Sequence, residues 1–422
     1  IGAGSAFRRP ALVGFISMLV ALGVASASAS AFNAQGSVDQ VYVTGLAANA
    51  PASLVTAGGS TVATQNADSL GGLLFRNVKP GIGYRVRAGS EESAKLTVHT
   101  DASKPWDPKV YEEQEIPDNG YTYLTTRDGT KLAIDVHPPT SPAGEPGVPS
   151  EFHFPTLPIP GVPTVSYTAP YPTLIEYSGY GYANPNGPEN GIAVLANLMG
   201  FAVVDVNMRG TGCSGGAFDF FEPLQNLDGY DVIETIARQK WVAGGKVGML
   251  GISYGGISQL FTAQTDPERL AAIAPLSVID ATATTLYPGG TLNTGFAVAW
   301  AEQRQQNAEP ASPGHGQAWA NEQIEKGDTT CAQNQALHGQ AANLLAKIKE
   351  NSTYKPAVAD PLDPDTFVHK ITVPTFMACQ FEDEQTGGHC ANLVQHFTGT
   401  EKKWFTFTNG AHIDSLDPAT YD

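Results

Sequence analysis

Ser253 lies in Gly251-Ile252-Ser253-Tyr254-Gly255, preceded by the apolar run Val247–Leu250 and followed by Gly256–Thr265, which can continue as a helix. In such a G-x-S-x-G string, a serine at a sharp strand-to-helix turn has its hydroxyl pushed out above the sheet, where it can attack an acyl carbon. The flanking glycines matter because the turn is strained. A Cβ at Gly251 or Gly255 is expected to clash where strand and helix nearly touch. The same turn leaves the Tyr254 N–H at a helix start, aimed where an oxyanion would form. In a chain with 45 glycines the string alone could be an ordinary turn. The flanking elements and a distant histidine and acid argue for chemistry.

A serine is a poor nucleophile until a base takes its proton, and that base needs an orienting carboxylate. Asn409-Gly410-Ala411-His412 follows a strand expected at Trp404–Thr408, and this turn delivers His412 as the base. The string FMACQFEDEQTGGH places Glu382, Asp383 and Glu384 just past a strand at Thr375–Cys379. Asp383 is assigned as the orienting acid, with Glu382, Glu384 and Asp280 as alternatives. His389 and His396 suit surface roles better. A second oxyanion donor should come from Tyr177–Tyr182, through a backbone N–H or the Tyr180 hydroxyl; plain pocket lining is the competing role for these tyrosines. This chemistry requires no cofactor and no metal.

The elements that must hold these residues are strands separated by helices, which implies an α/β chain with a mainly parallel sheet. Strands are expected at Tyr121–Thr126, Lys131–His137, Thr173–Tyr177, Ala202–Asp205, Val247–Leu250, Ala272–Pro275, Thr375–Cys379 and Trp404–Thr408. The first two form a hairpin. Helices are expected at Asn190–Met199, Asp228–Ala237, Gly256–Thr265 and Ala391–Phe397. Eight strands with the nucleophile after the fifth is the α/β-hydrolase order. Its core is expected over 118–280 and 369–422. Between the two parts, 281–368 carry helical runs at Gly295–Gln306, Gln317–Lys326 and Leu337–Glu350, a helical cap where substrate choice should reside. The Pro/Gly-rich Pro138–Pro172 is expected to be an extended surface loop.

Residues 33–100 alternate short β-prone pieces with Gly, Asn and Ser turns, at Val41–Thr44, Ser53–Val55, Thr61–Thr64, Leu73–Asn77, Tyr84–Arg87 and Lys95–Thr100, which predicts a small all-β sandwich. Asp101–Pro117, with its prolines, reads as a linker. Residues 1–31, with Arg8 and Arg9 before an apolar run and then ASASASA, read as a signal peptide directing export to the cell envelope or beyond. No other stretch approaches a membrane span.

A net charge of −17 argues against nucleic acid and anionic membrane surfaces as partners. The expected partner is a small-molecule ester or amide. The four cysteines allow three pairings in an exported chain. Cys379–Cys390, close in sequence, is favoured, which leaves Cys213–Cys331. Their spacing fits no zinc pattern.

VVDVNMRGTGCSGG (203–216), the following Asp228 and Trp241, GKVGMLGISYGG, DEQTGG and NGAH together resemble the cocaine-esterase-like and X-Pro dipeptidyl-peptidase group of serine hydrolases, the CocE/NonD type. The resemblance covers about 118–422. It implies an α/β-hydrolase with a helical cap that cleaves esters or amides, with Ser253, Asp383 and His412 as triad and Tyr180 and Tyr254 at the oxyanion hole. Arg209-Gly210 matches an R-G turn, read as architectural. Relatives continue past the histidine into a C-terminal jelly-roll domain. This chain ends ten residues after His412 and begins with Ile, so it is expected to be a fragment. LFRNVKPGIGYRVRA (74–88) resembles the fibronectin type III pattern. The reading favours an ester, because no carboxylate cluster for a peptide ammonium is recognisable. A peptidase or amidase and a non-catalytic binding protein are the rivals.

Overall fold

The computed structural model describes residues 32–139, 167–186 and 190–417. The segment read as a signal peptide and most of the Pro/Gly-rich insert lie outside them. The all-β part consists of β1 (Asn33–Gly36), β2 (Val41–Thr44), β3 (Pro51–Val55), β4 (Thr61–Asn66), β5 (Leu73–Phe75), β6 (Gly81–Ala88), β7 (Glu91–Glu92) and β8 (Leu96–Val98). One sheet runs β1-β2-β5, the other β4-β3-β6-β7, with β8 on β6. Alternating residues such as Val41, Val43, Leu54, Phe75 and Val86 close the core between them.

The larger sheet has eight strands: β9 (Gly120–Thr125), β10 (Lys131–His137), β11 (Thr173–Ser178), β12 (Ala202–Asn207), β13 (Val247–Ile252), β14 (Leu270–Leu276), β15 (Thr375–Gln380) and β16 (Lys403–Thr408). Their order is β16-β15-β14-β13-β11-β12-β10-β9. The β9–β10 hairpin is antiparallel and β10 meets β12 antiparallel, while the pairings from β12 through β16 are parallel. This is an α/β-hydrolase fold preceded by an all-β region. The near-continuous apolar character of Ala202–Val206 reflects burial on both faces, as in parallel sheets, while Val247–Leu250 alternates buried and half-buried positions.

Three of the expected helices differ in the structure. The expected Asp228–Ala237 helix begins earlier, at Pro223, because proline is pre-shaped for the first helical position. Leu337–Glu350 is two pieces, Gln335–Gln340 and Leu344–Glu350, since the Asn343 side chain accepts from Ala346 N and starts a new helix. Ala391–Phe397 is a 3₁₀ turn, Cys390–Gln395, tied to β15 by the Cys379–Cys390 disulfide. Cys213–Cys331 joins the loop after β12 to the cap. Within 101–117, Lys109–Glu112 is helical and Tyr111 is buried against Asp231.

Arg209 is buried at the end of β12 between Asp128 (3.1 Å) and Asp228 (2.7 Å). Burial would raise the Asp128 carboxyl, but the charge and hydrogen bonds of Arg209 outweigh it and hold the group well below its usual range. Asp128 also accepts from Ser37 Oγ of the sandwich at 2.7 Å, and its carbonyl accepts from Tyr42 at 2.9 Å. The sandwich and the hydrolase sheet therefore share one buried ion cluster. Arg209→Met strands two buried carboxylates and should cost about 3–5 kcal/mol. Urea unfolding would show this as a lower midpoint, and an unchanged midpoint would remove the cluster from the stability account.

A second acidic row crosses β10, β12 and β11, where Asp135 faces Asp205 and Asp205 faces Glu176. All three are buried. Burial, then Asp205, pushes Glu176 well above the usual carboxyl range. Burial also pushes Asp135 up to about 7, His137 opposing and Asp205 adding. The folded form of Asp135 thus keeps its proton where the unfolded chain, with a carboxyl near pKa ~3.9, has lost it. Its contribution to stability is fully present below that lower value and is lost as pH rises toward 7. Asp135→Asn should raise Tm by about 5 °C at pH 8 and barely at pH 4. Calorimetry at both pH values checks this, and an equal gain at the two would refute it.

Candidate active site

The carboxyl ends of β11, β13, β14, β15 and β16 meet at one rim, where ligands bind in open α/β sheets. β13 stops at Ile252, and Ser253 follows with φ 58° and ψ −122° before the helix Tyr254–Ala263. A non-glycine residue at such a φ is strained and is held by its surroundings. Here Ser253 N–H donates to Leu276 O of β14 at 2.9 Å, and Ser253 O accepts from Gly256 and Ile257. A Cβ on Gly251 would lie 2.7 Å from Gly255 O, the strand–helix contact foreseen for it. At Gly255 the obstacle is different: the carboxyl of Glu176 on β11 would lie 2.3 Å away.

His412 follows β16 and is buried, as is Asp383 after β15. His412 Nδ1 lies 2.8 Å from Asp383 Oδ2. Asp383 Oδ1 accepts from the N–H groups of Gln385 and Thr386, both at 2.8 Å, and Oδ2 accepts from Thr386 Oγ1 at 2.6 Å. Burial raises this carboxyl, but His412 and Thr386 outweigh it and leave the group below its usual range. It stays ionised. The main chain of His412 is held twice: its N–H donates to Glu384 Oε2 at 2.9 Å and its carbonyl accepts from Ser277 Oγ at 2.7 Å. Glu382 is exposed. Asp280 is committed to Thr284, Ala281 and Asn392.

Ser253 Oγ accepts from Tyr180 Oη at 3.3 Å. The expected serine–imidazole hydrogen bond is not made: among the described residues His412 Nε2 is buried without a partner. A carboxylate-backed imidazole with a free Nε2 can receive a proton, and an alcohol beside a phenol donor can carry an acyl group through an oxyanion.

Ser277, Glu384 and Thr386 escaped sequence reasoning as supports. Their signal was weak, being polar residues within a few positions of strand ends. The cap also reaches the site. Gln317 Nε2 donates to Gly179 O at 3.1 Å, holding the Tyr180 loop, and Trp300 Nε1 donates to Tyr180 Oη at 3.4 Å. A cavity of about 150 Å³ opens beside Ser253 and Tyr254. Ile257, Ile279, Leu286, Trp300, Leu344 and Ile348 line it. Among the described residues no Asp or Glu lines it, and its charged lining residues are Lys347, which pairs with Asp219 at 3.0 Å, and Lys355. The described residues hold no group of three or more metal-ligating side chains, and no described helix is long and apolar enough to cross a membrane.

Two proteins provisionally named serine esterases, from Mycobacterium bovis and Mycobacterium tuberculosis, are each 28% identical over 186 residues. That span is 42% of this chain and 27% of theirs, so the chain spans about a quarter of the length of these curated relatives. A solved CocE/NonD family hydrolase from Staphylococcus aureus shares the fold at 17% identity, with a TM-score of 0.50 over 72% of this chain and 48% of that one. The family model for X-Pro dipeptidyl-peptidases (S15 family) matches residues 158–414, which takes in the serine turn, the acid loop and the histidine turn together. By that match over more than half its length, the chain belongs to the S15 family of serine hydrolases.

Proposed function

We propose that this protein is an exported serine hydrolase that cleaves acyl esters through an acyl-enzyme. Ser253 attacks the carbonyl carbon and passes its proton to His412, which Asp383 orients. The Tyr254 N–H and the Tyr180 hydroxyl receive the oxyanion. His412 then protonates the leaving alcohol, and water repeats the sequence on the acyl-enzyme. The observation that carries this reading is the 2.8 Å contact between His412 and Asp383 at the same rim as the strained Ser253. Two disulfides are compatible with export.

The cavity lining favours a neutral, apolar acyl group. A peptide amino terminus would bring an ammonium into an apolar space with no carboxylate among its described lining residues, where it would sit desolvated and unpaired at a cost of several kcal/mol. On p-nitrophenyl esters, kcat/KM should rise about three- to fourfold per added methylene until the cavity is full. Aminoacyl and Xaa-Pro anilides should be cleaved at least about 100-fold less well. Faster cleavage of Xaa-Pro anilides would replace the ester reading with a peptidase. A fluorophosphonate probe should label the protein and fail to label Ser253→Ala. Absence of labelling in both would favour a binding protein on a hydrolase fold.

A further inference from the structure

Two side chains one turn apart on the cap helix Phe296–Asn307 converge on Tyr180. Trp300 Nε1–H donates to Tyr180 Oη, so the proton of the phenol is left to point at Ser253 Oγ. The chain therefore has one direction, from indole to phenol to serine. Arg304 lies over the Tyr180 ring, its Cζ 4.8 Å from the centroid, and 5.7 Å from that of Trp300.

Arg304 is 5% exposed, and its Nε and Nη1 have no hydrogen-bond partner among the described residues. Glu309, five residues on, pairs with His315 instead. Burial pulls the guanidinium below its ordinary range and the rings of Tyr180, Tyr254 and Tyr182 oppose this. An arginine remains charged in any case. Among the described residues it has no counter-ion; a buried cation so placed is costly, and a methionine or leucine would fill the same space without that cost. Its position over an aromatic face is where a cation draws electron density from the ring.

We propose that Arg304 and Trp300 are positioning residues that polarise the Tyr180 hydroxyl toward the oxyanion. This rests on the reading of Ser253 as nucleophile and Tyr180 as oxyanion donor. When Ser253 Oγ bonds to the acyl carbon, the C=O π pair moves onto the carbonyl oxygen and the serine proton goes to His412. The Tyr180 O–H turns from Oγ to the new oxyanion and keeps its proton, while negative charge on the phenol oxygen grows. The Trp300 N–H and the Arg304 charge stabilise that growth. A neutral ground-state carbonyl demands less of them, so the effect falls on kcat rather than KM. The cap then does more than wall the substrate; one turn of it tunes the oxyanion donor.

The test uses the full chain and p-nitrophenyl butyrate. Arg304→Met should lower kcat about tenfold with KM within about twofold, while Tm stays level or rises because an unpaired buried charge is gone. Arg304→Lys, which keeps a cation, should recover most of the loss. Trp300→Phe should cost about threefold, as loss of one donor in a chain. In a Tyr180→Phe background neither Arg304→Met nor Trp300→Phe should have a further effect. The proposal is overturned if the losses persist in that background, or if Arg304→Lys is as impaired as Arg304→Met with a lower Tm. Should Arg304→Met fail to fold, the Trp300→Phe pair decides by the same criterion. If Ser253→Ala retains hydrolysis, the underlying serine reading fails instead.

Discussion

Ser253→Ala and His412→Ala should each lower ester turnover by about 10⁶, and the double substitution should be scarcely worse. The two side chains act as one unit under the proposed mechanism, since an alcohol without a base and a base without an alcohol are equally idle. What remains would be binding and oxyanion stabilisation, still about 10³ above the reaction in water. Steady-state turnover of p-nitrophenyl butyrate, with folding verified by Tm, checks this. A loss smaller than tenfold in either variant would remove that residue from the mechanism. His412 Nε2 is the atom under test, because it is buried, partnerless among the described residues, and able to accept the serine proton.

Asp383→Asn should cost about 10⁴ in kcat, and Glu384→Gln less than tenfold. Both carboxylates touch His412, but at different atoms. Asp383 meets the ring at Nδ1, and Glu384 meets the main-chain N–H. An amide at 383 can present its NH₂ to Nδ1, which would put the ring proton on Nε2 and abolish its capacity as a base. An amide at 384 still offers an oxygen to the backbone. Asp383 carries two N–H bonds and a threonine hydroxyl besides the imidazole, so its ionised state is well supported. Its lowered carboxyl pKa stabilises the folded state above the ordinary carboxyl range, and this is lost as pH falls through the lowered value. Equal losses in the two variants would reopen the assignment of the acid.

The strands around the chemistry were legible because parallel strands covered on both faces leave unbroken apolar runs, and the glycine-flanked serine punctuates one of them. The acid loop and the histidine turn were legible by their places after strands, which topology alone orders. Tyr180 was visible only as one of three tyrosines in a loop; its approach to Ser253 depends on the cap residues Trp300 and Gln317, more than a hundred positions away. Arg304 carried no signal. An arginine in a Gln-rich run looks solvated, and its burial follows from cap docking, which no local period encodes. The same limit hid the break at Asn343, where an alanine-rich stretch suited a continuous helix until a capping side chain divided it. Ser37 and Asp128 lie in separate parts of the sequence, and nothing in either segment announced that they share a hydrogen bond.

Adjacent residues at the tip of β14 grip Ser253 and His412. The Leu276 carbonyl takes the Ser253 amide, and the Ser277 hydroxyl takes the His412 carbonyl. Alcohol and imidazole therefore hang from a common mount two residues wide. Breathing of the sheet that slides this strand carries both along together, so their separation is insulated from distortions that displace the lid above them. Sequence drift in the lid would thus reach the Tyr180 hydroxyl, which the lid holds, before it reached the spacing of alcohol and imidazole.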